Sequence, residues 1–558
     1  MALPLLALKR TREPRAGVSL AGPALAVAAR LACALVLVAG TLWLRWPSLE
    51  TDPLKSEEVA DVTFGADMLR RGQVPMVDSF ETRAPGASFL VAGVWGLWGR
   101  NLHALQNAGL AWVILATLGV LALGTILFGL VGGMLGALVY AVAAPCLDGM
   151  VPGHLSWMLT PYVWSGVLFA LGLRRGSPWL VGGAGLLVAL AAFIKHQAIL
   201  IVPAYALVLA LGPDLARYRG WPAVQRRWLW FFFGGMAAFF VPLAVYYLAH
   251  GGLGALFKQY VLNAEGWRHA WGAGTLDDKL PRIKDGMNGL WTLAALPALL
   301  GAMGLAGLPV RRRGPWSPVG ILLGGAALAG LVGGSLGWRY LPGSYLQMLP
   351  VMALAAGHPD GPLLRWTVGS NPAPGNRWET GCRVALIVAL LFAVLPALLT
   401  QAQQLKKDRD ASRAVPAETI ALRRAGATIQ ETTPRREKIW AYGWPARSIY
   451  TYADRGAATR FYHSTALVSD PPANTWRRPA PVRFARRGPY REIAAELSRG
   501  KPTFIVVSRK ASYGGWRELG DLLKKHYRRE VSLDTGQTYT FIRNGLKLKK
   551  PVRPLRAP

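Results

Sequence analysis

Two carboxylates and two cations carry most of the chemistry open to this sequence. Glu57 and Glu58 stand side by side at the start of a short helical pattern. A helix N-terminus favours negative charge there, so capping and solvation is one reading of the pair. The other is a general base facing a cavity. Arg83 lies in Glu81-Thr82-Arg83-Ala84-Pro85-Gly86, and Lys195 in Phe193-Ile194-Lys195-His196-Gln197, where two apolar segments meet. Such cations can snorkel to a membrane interface. They can also hold phosphate, Arg as a bidentate fork and Lys as a point charge. Asp148 closes an apolar segment six residues before His154 and forms a second acid candidate with it. Other signatures are missing: there is no phosphate loop, no His-Glu-x-x-His and no Gly-x-Ser-x-Gly. Cys33, Cys146 and Cys382 have no metal-ligand spacing with one another or with histidine. The residues call for no metal and no cofactor.

The elements that must position these groups are set by hydropathy. The chain has 558 residues, 52% hydrophobic and 17% charged, against roughly 25% charged in soluble proteins. Leu110 to Phe128 and Ile321 to Leu336 contain no charge, whereas Lys406 to Pro558 is rich in it. Lipid is the solvent of the first part and water of the last. About 20 apolar residues span a bilayer. Segments near that length run Leu25–Leu44, Asn107–Phe128, Leu130–Leu147, Trp157–Leu173, Leu180–Ile194, Ala198–Leu211, Leu229–Leu248, Leu290–Leu308, Val319–Leu336, Tyr345–Ala356 and Val384–Leu399. The fold class expected is a mainly α, polytopic membrane protein of about eleven spans, followed by a small α/β domain.

The net charge of +33, from 63 Lys and Arg against 30 Asp and Glu, is spread over many loops with no nucleic-acid-binding motif. Anionic headgroups and phosphate ligands fit it better than nucleic acid. With Lys9, Arg10, Arg12 and Arg15 inside, the loops at Arg174–Arg175, Arg217–Arg227, Arg311–Arg313 and His358–Arg383 are also inside. Residues 50–100 and the C-terminal domain then lie outside, with Arg83 and Lys195 on the same side.

Within that first outer loop, Val59 to Leu69 has Val62, Ala66 and Leu69 on one helical face and Asp61, Asp67 and Arg70 elsewhere. It is expected to lie in the interface plane. Gly72 and Pro75 end it. Pro85 to Trp98, with Phe89, Trp95 and Trp98, is a second interfacial helix. In the C-terminal part, helices are expected at Ala417–Thr428, Pro489–Leu497 and Arg517–Tyr527, and strands at Lys438–Tyr442, Thr503–Ser508 and Thr538–Arg543. The Gly330–Gly334 run reads as a packing surface for a span.

The order of these pieces resembles the GT-C glycosyltransferases, in the branch that holds the protein O-mannosyltransferases and the lipid A aminoarabinose transferase. The residues that carry it are Glu58, Ala66, Met68-Leu69, Gly72, Val74-Pro75, Asp78, Arg83-Ala84-Pro85-Gly86, Leu97-Trp98-Gly99 and Ala191 to Lys195. A late motif runs Arg339-Tyr340-Leu341-Pro342-Gly343-Ser344-Tyr345, and Ile439 to Pro445, Ile449-Tyr450 and Ala458 to Phe461 match in the soluble part. Departures exist. The family's first-loop Asp is Glu58 here, its Lys-Pro-Pro is Arg83-Ala84-Pro85, and Gly343-Ser344 stand where a His commonly precedes the Tyr. Its second-loop acid aligns only loosely with Asp148.

The resemblance implies a catalytic membrane domain over residues 1–400 and an extracytoplasmic α/β domain over 401–558, in the cell's inner (plasma) membrane. It implies an enzyme that moves a sugar from a polyprenyl-phosphate donor to an extracytoplasmic protein, lipid or envelope glycan, with inversion. Glu58 is the implied base, with Glu57 and Asp148 as further acids. Arg83 and Lys195 are the implied ligands of the donor phosphate, and His154, His196, Arg339 and Tyr345 the further candidates. A flippase for lipid-linked glycans shares the spans and cations, and a non-catalytic envelope assembly protein shares the outer domain. The spans hold almost no mid-membrane charge, which favours the enzyme over a transporter.

This topology makes a direct prediction. In intact cells a tag at Pro558 should be reached by external protease and a tag at Arg312 protected. Protection of both would put the C-terminal domain in the cytoplasm.

Overall fold

A computed structural model describes residues 23–79, 83–147, 152–211, 226–257, 318–335, 342–357, 416–443, 446–462, 487–509, 516–546 and 548, with scattered positions in 280–288 and 399–410. The membrane part is built from α1 (Pro23–Glu50), α2 (Glu57–Arg70), α3 (Gly86–Trp98), α4 (Leu102–Phe128), α5 (Leu130–Ala143), α6 (His154–Arg175), α7 (Pro178–Ile194), α8 (Val202–Ala210), α9 (Trp228–Ala249), α10 (Pro318–Ser335) and α11 (Leu349–Ala356). Among the described residues, six helices are long and apolar enough to cross a membrane: α1, α4, α5 with the turn that follows it, α6, α9 and α10. Shorter apolar helices cover Gly86–Trp98, Pro178–Ile194, His196–Ala210 and Gly343–Ala356. The expected spans Leu290–Leu308 and, but for Leu399, Val384–Leu399 lie outside the described residues. The other nine coincide with helical segments.

Large apolar side chains point outward from these helices, with Trp230, Trp179 and Leu97 at 80%, 78% and 77% exposure. Water would not tolerate so much of this surface, so it marks the lipid face. Between helices, small residues let backbones approach. The Gly330–Gly334 run does pack: Gly330 lies against Met348 and Gly334 against the Tyr345 ring.

The C-terminal part adds α12 (Ala417–Thr432), α13 (Ser448–Ala453), α14 (Arg487–Gly500) and α15 (Arg517–His526) to five strands. These are β1 (Lys438–Tyr442), β2 (Gly456–Ala457), β3 (Phe504–Ser508), β4 (Tyr527–Arg529) and β5 (Thr538–Arg543), in the order β2-β1-β3-β5-β4. β1 runs parallel to β2 and β3, and β5 antiparallel to β3 and β4. Alternate residues face opposite sides of a strand. Ile439, Ala441, Phe504 and Val506 thus join one apolar cluster, while Trp440, Tyr442, Ile505 and Val507 join another with α14 and α15.

The first of those clusters is completed from the membrane part. Phe64 and Met68 of α2 belong to it, and the Phe64 ring lies 4.1 Å from Tyr462 and 4.8 Å from Tyr450. α2, which the sequence places in the interface plane, is covered here by the sheet unit. Asp61 is 3% and Asp67 1% exposed. Each can be buried because an arginine meets it.

Candidate functional site

α2 is fastened along its length, and that fixes Glu58 near its start. Ahead of the helix, Asp52 accepts from the Leu54 amide at 2.8 Å through Oδ1 and from Arg423 Nε and the Tyr452 hydroxyl, each at 2.6 Å, through Oδ2. Burial first, and then the neighbouring Asp52 charge, push the Tyr452 hydroxyl well above its ordinary pKa. Midway, Thr63 pairs with Thr451 at 2.9 Å. Near the end, Arg100 forks onto Asp67 with two bonds of 2.7 Å and donates to the Thr451 carbonyl at 2.6 Å. Burial alone would weaken the Arg100 charge, but the bond and charge of Asp67 outweigh it and raise its pKa. Beyond α2 the chain turns through Gly72 (φ 74°) and Met76 (φ 69°), with Asp78 accepting from the Val74 amide at 2.7 Å.

Arg83 and Lys195 reach the same place by a backbone contact. Gly86 opens α3, and a Cβ there would sit 2.6 Å from the Phe193 carbonyl oxygen and 2.7 Å from the Ile194 nitrogen. Only glycine allows this approach, three residues after Arg83 and one or two before Lys195. Lys195 leaves the end of α7 in extended conformation, and its Nζ lies 4.0 Å from Glu58 Oε1. Arg83 Nη1 donates to Asp61 Oδ2 at 2.6 Å, and Arg447 Nη1 from the sheet unit to Asp61 Oδ1 at 2.7 Å. Asp61 lies one helical turn beyond Glu58. The Glu58, Lys195 and Arg83 side chains stay 29%, 21% and 19% exposed, so a ligand can reach them.

His154 closes the group from α6. Its ring is buried, Nδ1 has no hydrogen-bond partner among the described residues, and Glu58, Arg83 and Lys195 are charges that act on it. Next to it, Gly153 faces the Glu58 carboxylate. The arrangement offers one carboxylate and two cations in an open cluster of mixed charge. Such a cluster can take a proton from one group and hold an anion beside it.

Glu57 opens α2. Asp148 and Arg339 lie outside the described residues. His196 begins the turn after Lys195. Tyr345 is buried, with its hydroxyl 3.2 Å from Ser335. Among the described residues no group of three or more His, Cys, Asp or Glu could hold a metal ion. Sequence reasoning missed Asp61, Arg447, Gly86 and Gly153 as parts of the site. Asp61 could have been found from its place three residues after Glu58. Nothing local singles out Arg447 among 63 basic residues.

No family model matches the sequence, and no curated protein does. Solved structures do match. ArnT from Cupriavidus metallidurans, bound to undecaprenyl phosphate, aligns over 92% of this chain and 97% of its own at 14% identity and a TM-score of 0.54. The Archaeoglobus fulgidus oligosaccharyltransferase tethered to an acceptor peptide with an NVT sequon covers 91% of this chain and 74% of its own, at 13% identity and a TM-score of 0.51. The same archaeon's oligosaccharyltransferase AglB, in complex with an inhibitory peptide and a dolichol-phosphate, covers 94% and 75% at 14% identity and a TM-score of 0.50. At these identities the likeness is one of fold, the GT-C fold.

Two glycine substitutions should separate rigid from yielding contacts. Gly86→Ala meets backbone atoms that cannot step aside, and should cost about 1–3 kcal/mol. Gly153→Ala would bring its Cβ 2.7 Å from Glu58 Oε2, the far end of a side chain that can swing away. Thermal unfolding in detergent should therefore fall clearly for the first and barely for the second; equal melting of the two variants would contradict the packing described.

Proposed function

We propose that this chain, which shares the GT-C fold, is an integral-membrane glycosyltransferase. It transfers a sugar from a polyprenyl-phosphate donor to an extracytoplasmic acceptor, a protein, lipid or envelope glycan. The observation that carries this reading is the meeting of Arg83 and Lys195, from distant parts of the chain, around Glu58 and beside His154. Solved proteins of the same fold have been captured with undecaprenyl phosphate and with a dolichol-phosphate, which supports a lipid phosphate as the ligand of these cations.

The chemistry follows from the charges. In a polyprenyl-phosphate sugar the bond to break joins the anomeric carbon to a phosphate oxygen. The leaving phosphate takes the bonding electrons, and its growing charge is met by Arg83 and Lys195. The acceptor's nucleophilic atom forms the new bond to the anomeric carbon from the opposite face and inverts it. Its proton passes to Glu58. Phosphate is already a competent leaving group, so no general acid is required. Lys195, 4.0 Å from Glu58, sets a cation beside the carboxylate that accepts the proton. The membrane keeps the donor's tail in lipid while the loop at 50–100 and the sheet unit frame the acceptor side.

Transfer measured per folded molecule in detergent, with a synthetic polyprenyl-phosphate sugar, tests this. Glu58→Gln should abolish transfer while donor binding persists. Arg83→Met and Lys195→Met should each slow transfer on the order of 10²–10³-fold, by more than they weaken donor binding. Arg83→Lys should recover only part of the loss, because the fork is gone while the charge remains. Normal turnover in all three variants would leave these cations as headgroup anchors and remove the proposed mechanism.

A further inference from the structure

We propose that Arg447, on the C-terminal sheet unit, is a positioning residue for transfer: acting through Asp61, it fixes Arg83. This rests on the reading of Arg83 as a ligand of the donor phosphate. The Asp61 carboxylate is shared evenly. Oδ2 accepts from Arg83 at 2.6 Å and Oδ1 from Arg447 at 2.7 Å, with Asp61 and Arg447 each 3% exposed.

The first consequence is electrostatic. Asp61 meets a cation on each oxygen, Arg83 on Oδ2 and Arg447 on Oδ1, so its charge is shared with Arg447 and does not fall on Arg83 alone.

The second consequence is geometric. Arg447 cannot wander, because it immediately precedes α13, which is tied to the approach to α2. Ser448 donates its hydroxyl to the Leu54 carbonyl at 2.9 Å, and Thr451 pairs with Thr63. The Arg447 guanidinium therefore holds one oxygen of Asp61 in place, and the other oxygen aims Arg83. Arg83 sits on a connecting segment rather than in a helix, so that contact bears directly on its aim. The sheet unit thus contributes a buried charge to a site whose exposed groups all come from the membrane part.

The test is a double-mutant cycle read as transfer rate per folded molecule. Arg447→Met should slow transfer by about 10²-fold, the scale expected when a catalytic contact is displaced by an ångström. In an Arg83→Met background the same change should add little, since residues that act as a unit are not additive. Taking one of its two arginines from buried Asp61 could unfold the single variant, so Asp61→Leu with Arg447→Leu serves as the second arm. Replacing a buried ion pair by apolar residues usually preserves folding. That pair should be folded and slowed to a similar degree, Arg83 having lost its contact with Asp61. Full turnover in the Leu pair, or fully additive losses in the cycle, would overturn the proposal. Unfolded protein from both arms would make the contact purely structural and overturn it as well. If Arg83→Met alone leaves transfer unchanged, the phosphate reading falls; if it slows transfer while the Arg447 variants match the parent, only the positioning role falls.

Discussion

A carboxylate taken out of water must be paired, and three carboxylates on or just before α2 are buried against arginines. Asp52 meets Arg423, Asp61 meets Arg83 and Arg447, and Asp67 meets Arg70 and Arg100. Removing one partner from such a pair typically costs about 3–5 kcal/mol, because the charge left behind stays buried. Two of these arginines, Arg423 and Arg447, come from the sheet unit. The membrane helices and the sheet unit are therefore bound to the same short helix, which also supplies Phe64 and Met68 to the sheet unit's core. Glu58 sits at the head of this helix, so its position is inherited from both halves of the chain.

The site itself uses a different economy of contacts. Its groups are partly exposed, with Lys195 4.0 Å from Glu58 and Arg83 held by Asp61 at 2.6 Å. Close approaches of backbone bring them together instead: Gly86 on Phe193 and Ile194, and Gly153 on the Glu58 carboxylate. Rigid ion pairs hold the frame while reactive groups remain open to a ligand. This division suits a site that must bind an anion and release it.

Much of the fold was legible because lipid imposes a strong pattern. Nine expected spans coincide with helical segments, and the strands at Lys438–Tyr442 and Thr538–Arg543 match to the residue. The orientation of α2 was not legible. Its polar residues follow the spacing of a helix half in water, and nothing within the segment tells that an arginine far along the chain will cover Asp61. The candidate site divides the same way. Glu58 stood out at the head of a helical pattern, Arg83 between two such patterns and Lys195 where two apolar segments meet, and the fold brings them together. Arg447 looks like any surface arginine until the fold buries it. Gly86 and Gly153 carry no functional group, and only the approaching backbone or carboxylate gives them a role.

The central claim is that Arg83 and Lys195 form one anion site beside Glu58. A cryo-electron-microscopy structure of the chain with an undecaprenyl-phosphate ligand tests it most directly. The account predicts the phosphate between the two cations, within hydrogen-bonding distance of both, with Asp61 still joining Arg83 to Arg447. A phosphate held by other residues, with Arg83 and Lys195 turned away from it, would contradict the account.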